Sequence, residues 1–200
     1  MNKFFPKVKN INTNRLKISN EGVYSISKPE VSKEILNYIL SKTGKNIIVL
    51  DGTGNVGGDT IRFGLSKNVK KVFTTEINKD NFEILKHNIN VYKLNNKISL
   101  YNVDFIKFYK ILKKKIDVIF IDPPWGGPNY KKKCRLNLYL SKQSIGTIVK
   151  DIKKRKICSY IFIKIPFNFN ITKFQLESDT KQLEIYSVDN SSVYILFIKC

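Results

Sequence analysis

Between residues 46 and 165 short β-branched runs alternate with stretches of helical character, and this alternation restricts the fold more than any other property of the chain. Residues 47–50, 69–75, 97–101, 116–121 and 159–165 read as strands. Residues 60–65, 79–92, 105–112 and 141–154 lie between them and have helical period or helix-compatible composition. Parallel neighbours need a crossover connection, so a strand–helix alternation of this kind closes as a mostly parallel sheet covered by helices. Residues 183–188 and 193–199 flank Asp189-Asn190-Ser191-Ser192 and predict a closing antiparallel hairpin.

Ahead of this region, residues 1–28 show no clear period and read as an arm. Ser27-Lys28-Pro29-Glu30 then predicts a helix start, with Ser27 as cap, Pro29 in the first turn and Glu30 three residues after the cap. Val31, Ile35, Tyr38 and Ile39 follow as one apolar stripe. Two hundred residues at 42% apolar content are enough for one well-buried domain and too few for two of ordinary size. The expectation is an arm over 1–28 and a single domain over 29–200.

The first strand runs through Val49-Leu50-Asp51 into Gly52-Thr53-Gly54-Asn55-Val56-Gly57-Gly58. Glycines there allow close backbone approach to a ligand, and the following helix start offers free N–H groups. The second strand ends at Thr75-Glu76, where an acid in a doubly wound sheet can accept hydrogen bonds from both hydroxyls of a ribose. Val103-Asp104-Phe105 follows the third strand and places an acid beside an aromatic ring, an arrangement that suits an adenine amino group. Ligands of open α/β sheets bind at the C-terminal ends of the strands, which is where all three acids fall.

Asp122-Pro123-Pro124-Trp125 follows the fourth strand and is the most specific motif of the chain. A ring-attached amino group is a poor nucleophile because its lone pair is delocalised. To react with a sulfonium methyl it must be held with that lone pair facing the methyl, its hydrogens accepted by a carboxylate and a backbone carbonyl. Pro123 and Pro124 stiffen the turn that aims those carbonyls, Trp125 offers a face for a base to stack on, and Gly126-Gly127 leaves room for entry. Lys131, Lys132 and Arg135 come directly afterwards, where cations suit phosphates.

Residues 121–130, Ile121-Asp122-Pro123-Pro124-Trp125-Gly126-Gly127-Pro128-Asn129-Tyr130, resemble the signature of trimethylguanosine synthases, which methylate the 2-amino group of 7-methylguanosine caps on RNA. Glu21-Gly22-Val23-Tyr24-Ser25-Ile26-Ser27 resembles that family's segment ahead of its core, and Asp51 through Thr60 its cofactor loop. The resemblance covers roughly residues 21–170. It implies a Rossmann-like class I methyltransferase fold with a seven-stranded mixed sheet, and S-adenosylmethionine as cofactor. Tyr24, Asp51, Gly52, Thr53, Gly57, Glu76, Asp104 and Asp122 would line the cofactor. Asp122, Pro123, Pro124 and Trp125 would form the catalytic turn. Trp125, Gly126, Lys131, Lys132 and Arg135 would meet the capped RNA, with Trp125 stacked on the cationic base. Asn55 stands where methyltransferase loops commonly carry Gly, and Asp122 stands where cap-trimethylating relatives carry Ser. The motifs are shared by two alternatives: an amino methyltransferase of guanine or adenine in ribosomal RNA, transfer RNA or DNA, and a catalytically silent RNA-binding copy of the fold.

Charge favours a polyanionic partner. Lys and Arg number 36 against 16 Asp and Glu, for a net charge of +20. The excess of Lys, Asn and Ile suits an AT-rich genome, that of a large DNA virus for example. Lys113-Lys114-Lys115 and Lys153-Lys154-Arg155-Lys156 read as solvated faces. Cys134, Cys158 and Cys200 are far apart and show no metal-ligand spacing with His87, so neither a metal site nor a disulfide framework is expected, and His87 reads as structural. No run approaches roughly 18 apolar residues and no signal-peptide core is visible, so no membrane span is expected and the chain reads as an intracellular monomer, nuclear or cytoplasmic.

Overall fold

The computed structural model describes residues 3–113 and 115–200; Lys114, within the Lys113-Lys114-Lys115 run, lies outside them. The fold is α/β, with a seven-stranded mixed sheet that ends in an antiparallel hairpin, as expected. The chain divides into two compact units at Phe105/Ile106.

In the first unit, α1 (Asn20–Ser25) and α2 (Pro29–Thr43) precede β1 (Ile47–Asp51), α3 (Gly58–Leu65), β2 (Val69–Thr75), α4 (Lys79–Val91) and β3 (Ile98–Tyr101). The strand order is β3-β2-β1 and every pairing is parallel. Asp51 pairs with Thr74 and Thr75 with Tyr101, so β1, β2 and β3 end side by side. Val49, Leu50 and Val72 are fully buried, the two-sided burial that parallel strands covered by helices require.

On α2 the stripe is as read from the sequence, with Ile35, Tyr38 and Ile39 buried and Val31 half-buried. The cap differs. Lys28 is the N-cap residue and has no side-chain cap bond, while the buried Ser27 hydroxyl donates to Asp59 Oδ2 at 2.6 Å. The segment before α2 is packed. Phe5 and Leu16 are buried, the Tyr92 hydroxyl donates to the Pro6 carbonyl at 2.6 Å, and His87 Nε2 lies 2.7 Å from the Arg15 carbonyl oxygen. Asn88 of α4, fully buried, accepts from the Lys17 N–H and donates to the carbonyls of Lys17 and Val56, each at 2.9 Å.

In the second unit, α5 (Phe105–Lys110) leads from the division to β4 (Ile116–Ile121). A 3-10 turn over Pro128–Lys132, β5 (Tyr139–Leu140), β6 (Gln143–Ser144), α6 (Ile145–Arg155), β7 (Cys158–Pro166), α7 (Ile171–Ser178), β8 (Glu184–Ser187) and β9 (Val193–Lys199) follow. The strand order is β4-β7-β9-β8, parallel between β4 and β7 and antiparallel thereafter. Phe120 and Ile121 on β4, Phe162 and Ile163 on β7, and Ile148, Val149 and Ile152 on α6 are fully buried.

Two local features depart from the sequence reading. Residues 141–144, expected to open a helix, instead make the tip of a small hairpin, with Ser141 at φ 45° and Lys142 at φ 67°. Positive φ at both central residues fits the twist of a two-residue hairpin. Helix α6 therefore starts at Ile145, where Ser144 Oγ accepts from the Thr147 N–H. Helix α7 was not anticipated. The sulfurs of Cys158 and Cys200, far apart in sequence, approach to 3.6 Å as free thiols.

Candidate active site

The first unit gathers Asp51, Gly52, Thr53, Gly57, Glu76 and Asp104 at the ends of β1, β2 and β3. Asp51 is 1% exposed, and its carboxylate accepts from the Thr53 N–H at 3.1 Å and from the Thr60 hydroxyl. It thus ties the start of the loop to α3. Gly57 (φ 105°) supplies the left-handed residue that opens α3. Asn55 also sits at positive φ (46°), a conformation asparagine tolerates better than most residues. Its N–H donates to Glu76 Oε2 at 2.7 Å and its Nδ2 to Ser25 Oγ at 2.8 Å, so α1 is fastened to the loop. Asn55 Oδ1 is buried without a hydrogen-bond partner among the described residues.

The other Glu76 oxygen, Oε1, accepts from the Asn78 N–H at 2.7 Å. Burial is the largest influence on this carboxyl and raises its pKa above the usual 4.5, although the backbone hydrogen bonds from Asn78, Asn55 and Ile77 act the other way. A carboxylate has about four acceptor positions, so the backbone donors of Asn55, Asn78 and Ile77 still leave it able to accept from a ligand. Ile77 beside it is 63% exposed, an apolar surface that the sequence reading passed over. Asp104 is half-buried and precedes Phe105, whose ring packs so tightly on Gly52 that a Cβ there would lie 2.7 Å from Phe105 Cδ2. Tyr24 is 63% exposed on α1, next to the Ser25 that bonds Asn55.

The second unit holds the turn that follows β4. Asp122 Oδ2 lies 2.7 Å from Lys164 Nζ on β7; the Asp122 side chain is 20% exposed and that of Lys164 only 6%. Pro123 is buried and Pro124 exposed. The Trp125 ring meets the edge of Tyr130 at 5.0 Å between centroids and 73° between planes, and Lys164 Nζ stands 5.8 Å from the Trp125 ring centroid. Trp125 Nε1 is buried without a hydrogen-bond partner among the described residues. Gly126 (φ 86°) and Gly127 (φ 76°) make the bend that leads into the 3-10 turn.

Asn168 pins that turn by donating to the carbonyls of Tyr130 at 2.9 Å and Lys133 at 2.6 Å. Lys131, Lys132 and Arg135 are exposed along it. The second unit thus combines a carboxylate in a fixed orientation, a stiff turn with backbone carbonyls, an aromatic plane and a cationic margin. Lys164 was missed as a site residue, yet a signal was present: a lysine inside the run Ile161-Phe162-Ile163-Lys164-Ile165, which otherwise reads as a buried strand. Among the described residues no cluster of His, Cys, Asp and Glu is suited to a metal ion, and no helix is long and apolar enough to cross a membrane.

The family model described as RNA cap guanine-N2 methyltransferase matches residues 46–196. Trimethylguanosine synthase of Schizosaccharomyces pombe is 25% identical over 177 residues, spanning 86% of this chain and 68% of that protein. Uncharacterized protein L320 of Acanthamoeba polyphaga mimivirus is 25% identical over 221 residues, spanning 98% of this chain and 83% of that one. Among solved structures, the human methyltransferase 10 domain containing protein superposes with a TM-score of 0.62 at 11% identity, covering 92% of this chain and 89% of that chain, a likeness of fold.

Proposed function

Since the chain belongs to the RNA cap guanine-N2 methyltransferase family, we propose that it transfers methyl from S-adenosylmethionine to the 2-amino group of the 7-methylguanosine cap of RNA. The observation that carries this reading is the Asp122-Pro123-Pro124-Trp125 turn, whose carboxylate is anchored by Lys164 beside the indole.

The residues of the first unit fit the cofactor. Glu76 keeps acceptor capacity for ribose hydroxyls, Ile77 offers an apolar surface to adenine, and Asp104 can accept from the adenine amino group. Asn55 Oδ1, a buried acceptor without a partner among the described residues, suits a donor of the ligand. Gly52, Thr53 and Gly57 shape the loop that Asp51 braces, and Tyr24 stands next to the residue that fastens α1 to it. When bound, the cofactor supplies an electrophilic methyl group on a sulfonium.

On the acceptor side, Asp122 and the Pro123 carbonyl accept the amino hydrogens and turn the nitrogen lone pair toward the methyl. Asp122 orients the amine and need not be a strong base, because the nitrogen loses its proton readily once methylation has made it cationic. Trp125 stacks on the base, and the 7-methyl group, by making the ring cationic, strengthens that contact. Lys131, Lys132 and Arg135 hold the triphosphate or the following RNA.

The test is transfer of labelled methyl to 7-methyl-GTP, GTP and uncapped RNA side by side. We expect transfer to 7-methyl-GTP, lowered by about 10²-fold or more in Asp122→Ala and Trp125→Ala. Transfer to uncapped RNA alone would refute the cap assignment.

A further inference from the structure

Lys164 lies between Ile163 and Ile165 toward the C-terminal end of β7, and its side chain is 6% exposed. A position so enclosed ordinarily takes an apolar residue, because desolvating an ammonium is expensive even when a carboxylate is near. The need does not arise on the Asp122 side, since at 20% exposure that carboxylate retains access to water. The ammonium reaches two groups of the acceptor turn at once, 2.7 Å from Asp122 Oδ2 and 5.8 Å from the centroid of Trp125. One side chain from a neighbouring strand therefore reaches both the acid and the aromatic plane of the turn that follows β4.

We infer that Lys164 is a positioning residue for the acceptor base, fixing the Asp122 carboxylate and the Trp125 plane in the arrangement the amino group requires. The inference rests on the methyltransferase reading above but not on the choice of guanine-bearing acceptor. Lys164 itself takes no proton and touches no reacting atom; it acts through Asp122 and Trp125. Loss of the ammonium removes the 2.7 Å contact on Asp122 Oδ2, and misplacement of an orienting group by about 1 Å is enough to slow transfer by about 10²-fold.

The test compares wild type with Lys164→Met, Lys164→Arg, Asp122→Asn and the Asp122→Asn/Lys164→Met double variant on whichever acceptor wild type methylates. Lys164→Met is expected to lower kcat/KM for the acceptor by about 10²-fold while leaving affinity for S-adenosylhomocysteine within about twofold, and Lys164→Arg to recover at least about tenfold of the loss. The double variant should lose less than the product of the two single losses, because part of what Lys164 does passes through Asp122. Trp125 is the only tryptophan of the chain, so its emission reports the same contact without turnover and should shift in Lys164→Met.

Additive losses in the double variant, wild-type kinetics in Lys164→Met, or a fall in S-adenosylhomocysteine affinity parallel to the loss of transfer would overturn the inference. The cap assignment fails separately, through the wild-type acceptor profile. If wild type methylates none of the acceptors, unchanged Trp125 emission in Lys164→Met overturns the inference on its own.

Discussion

Replacing Gly52 by alanine tests the packing on which the cofactor loop depends. A Cβ at position 52 would lie 2.7, 2.9 and 3.0 Å from Cδ2, Cε2 and Cγ of Phe105. Carbon contacts settle near 3.5–4.0 Å, so about 0.8 Å must be found between the loop and the ring. Neither side yields easily, since Phe105 is 4% exposed and the Gly52 carbonyl is held by the Thr75 hydroxyl at 2.8 Å. Overpacking of this kind costs about 1–3 kcal/mol. At about 2–4 °C per kcal/mol for a chain of this size, Tm falls by about 2–12 °C. Because Phe105 follows Asp104 directly, displacing the ring displaces the acid, and S-adenosylhomocysteine affinity drops by about 10²-fold. Thermal unfolding and calorimetric titration measure the two effects, and Phe105→Leu supplies the control. Gly52→Ala/Phe105→Leu should be more stable than the sum of the single changes allows, because the smaller side chain accepts the new methyl. A Tm within about 1 °C of wild type with unchanged affinity, or strict additivity in the double variant, would refute the reasoning.

Two further expectations concern Glu76 of the first unit and the cationic residues of the second. Burial raises the Glu76 carboxyl pKa, so the folded state holds its proton more tightly than the unfolded state. The stability this confers is full at pH below the usual 4.5 and is lost as pH rises through the raised value. Cofactor affinity must move the opposite way over that window, since ribose hydroxyls donate to the ionised form. Glu76→Gln should flatten both profiles, and parallel profiles in wild type would contradict the assignment. Lys131→Ala/Lys132→Ala/Arg135→Ala should weaken RNA binding and reduce the slope of log affinity against log salt by about 2–3, without changing S-adenosylhomocysteine binding. An unaltered slope would place the RNA elsewhere.

The parallel strands were legible because each is a short β-branched run bounded by glycine or by a helical stretch, and β1 and β4 differ from their expected limits by one residue at most. Helix α7 was not, because its apolar residues do not share one stripe: Phe174 is buried while Leu176 is 78% exposed. The hairpin at Ser141-Lys142 was hidden for a different reason, as neither residue is the glycine or asparagine that usually announces positive φ. At the site, the acids at the strand ends could be read from position alone, since α/β topology brings strand ends together. Lys164 could not be assigned from position. Its strand was recognised, but which residue its ammonium meets depends on the register between β4 and β7, where Ile121 pairs with Ile163. Asn55 stood out as an exception to the glycine pattern, and only the structure shows that its amide fastens the loop to Ser25.

Asn88 couples the N-terminal segment to the glycine-rich loop after β1. One amide bonds the backbone of Lys17 on one side and the Val56 carbonyl of the cofactor loop on the other. A ligand that tightened the loop would also tighten the backbone at Lys17, and linkage would require the converse with the same coupling free energy. Whatever displaces that segment, another macromolecule included, would loosen the cofactor without touching it. Distance along the chain is no barrier to this reciprocity, because α4 carries the connection through a single buried side chain.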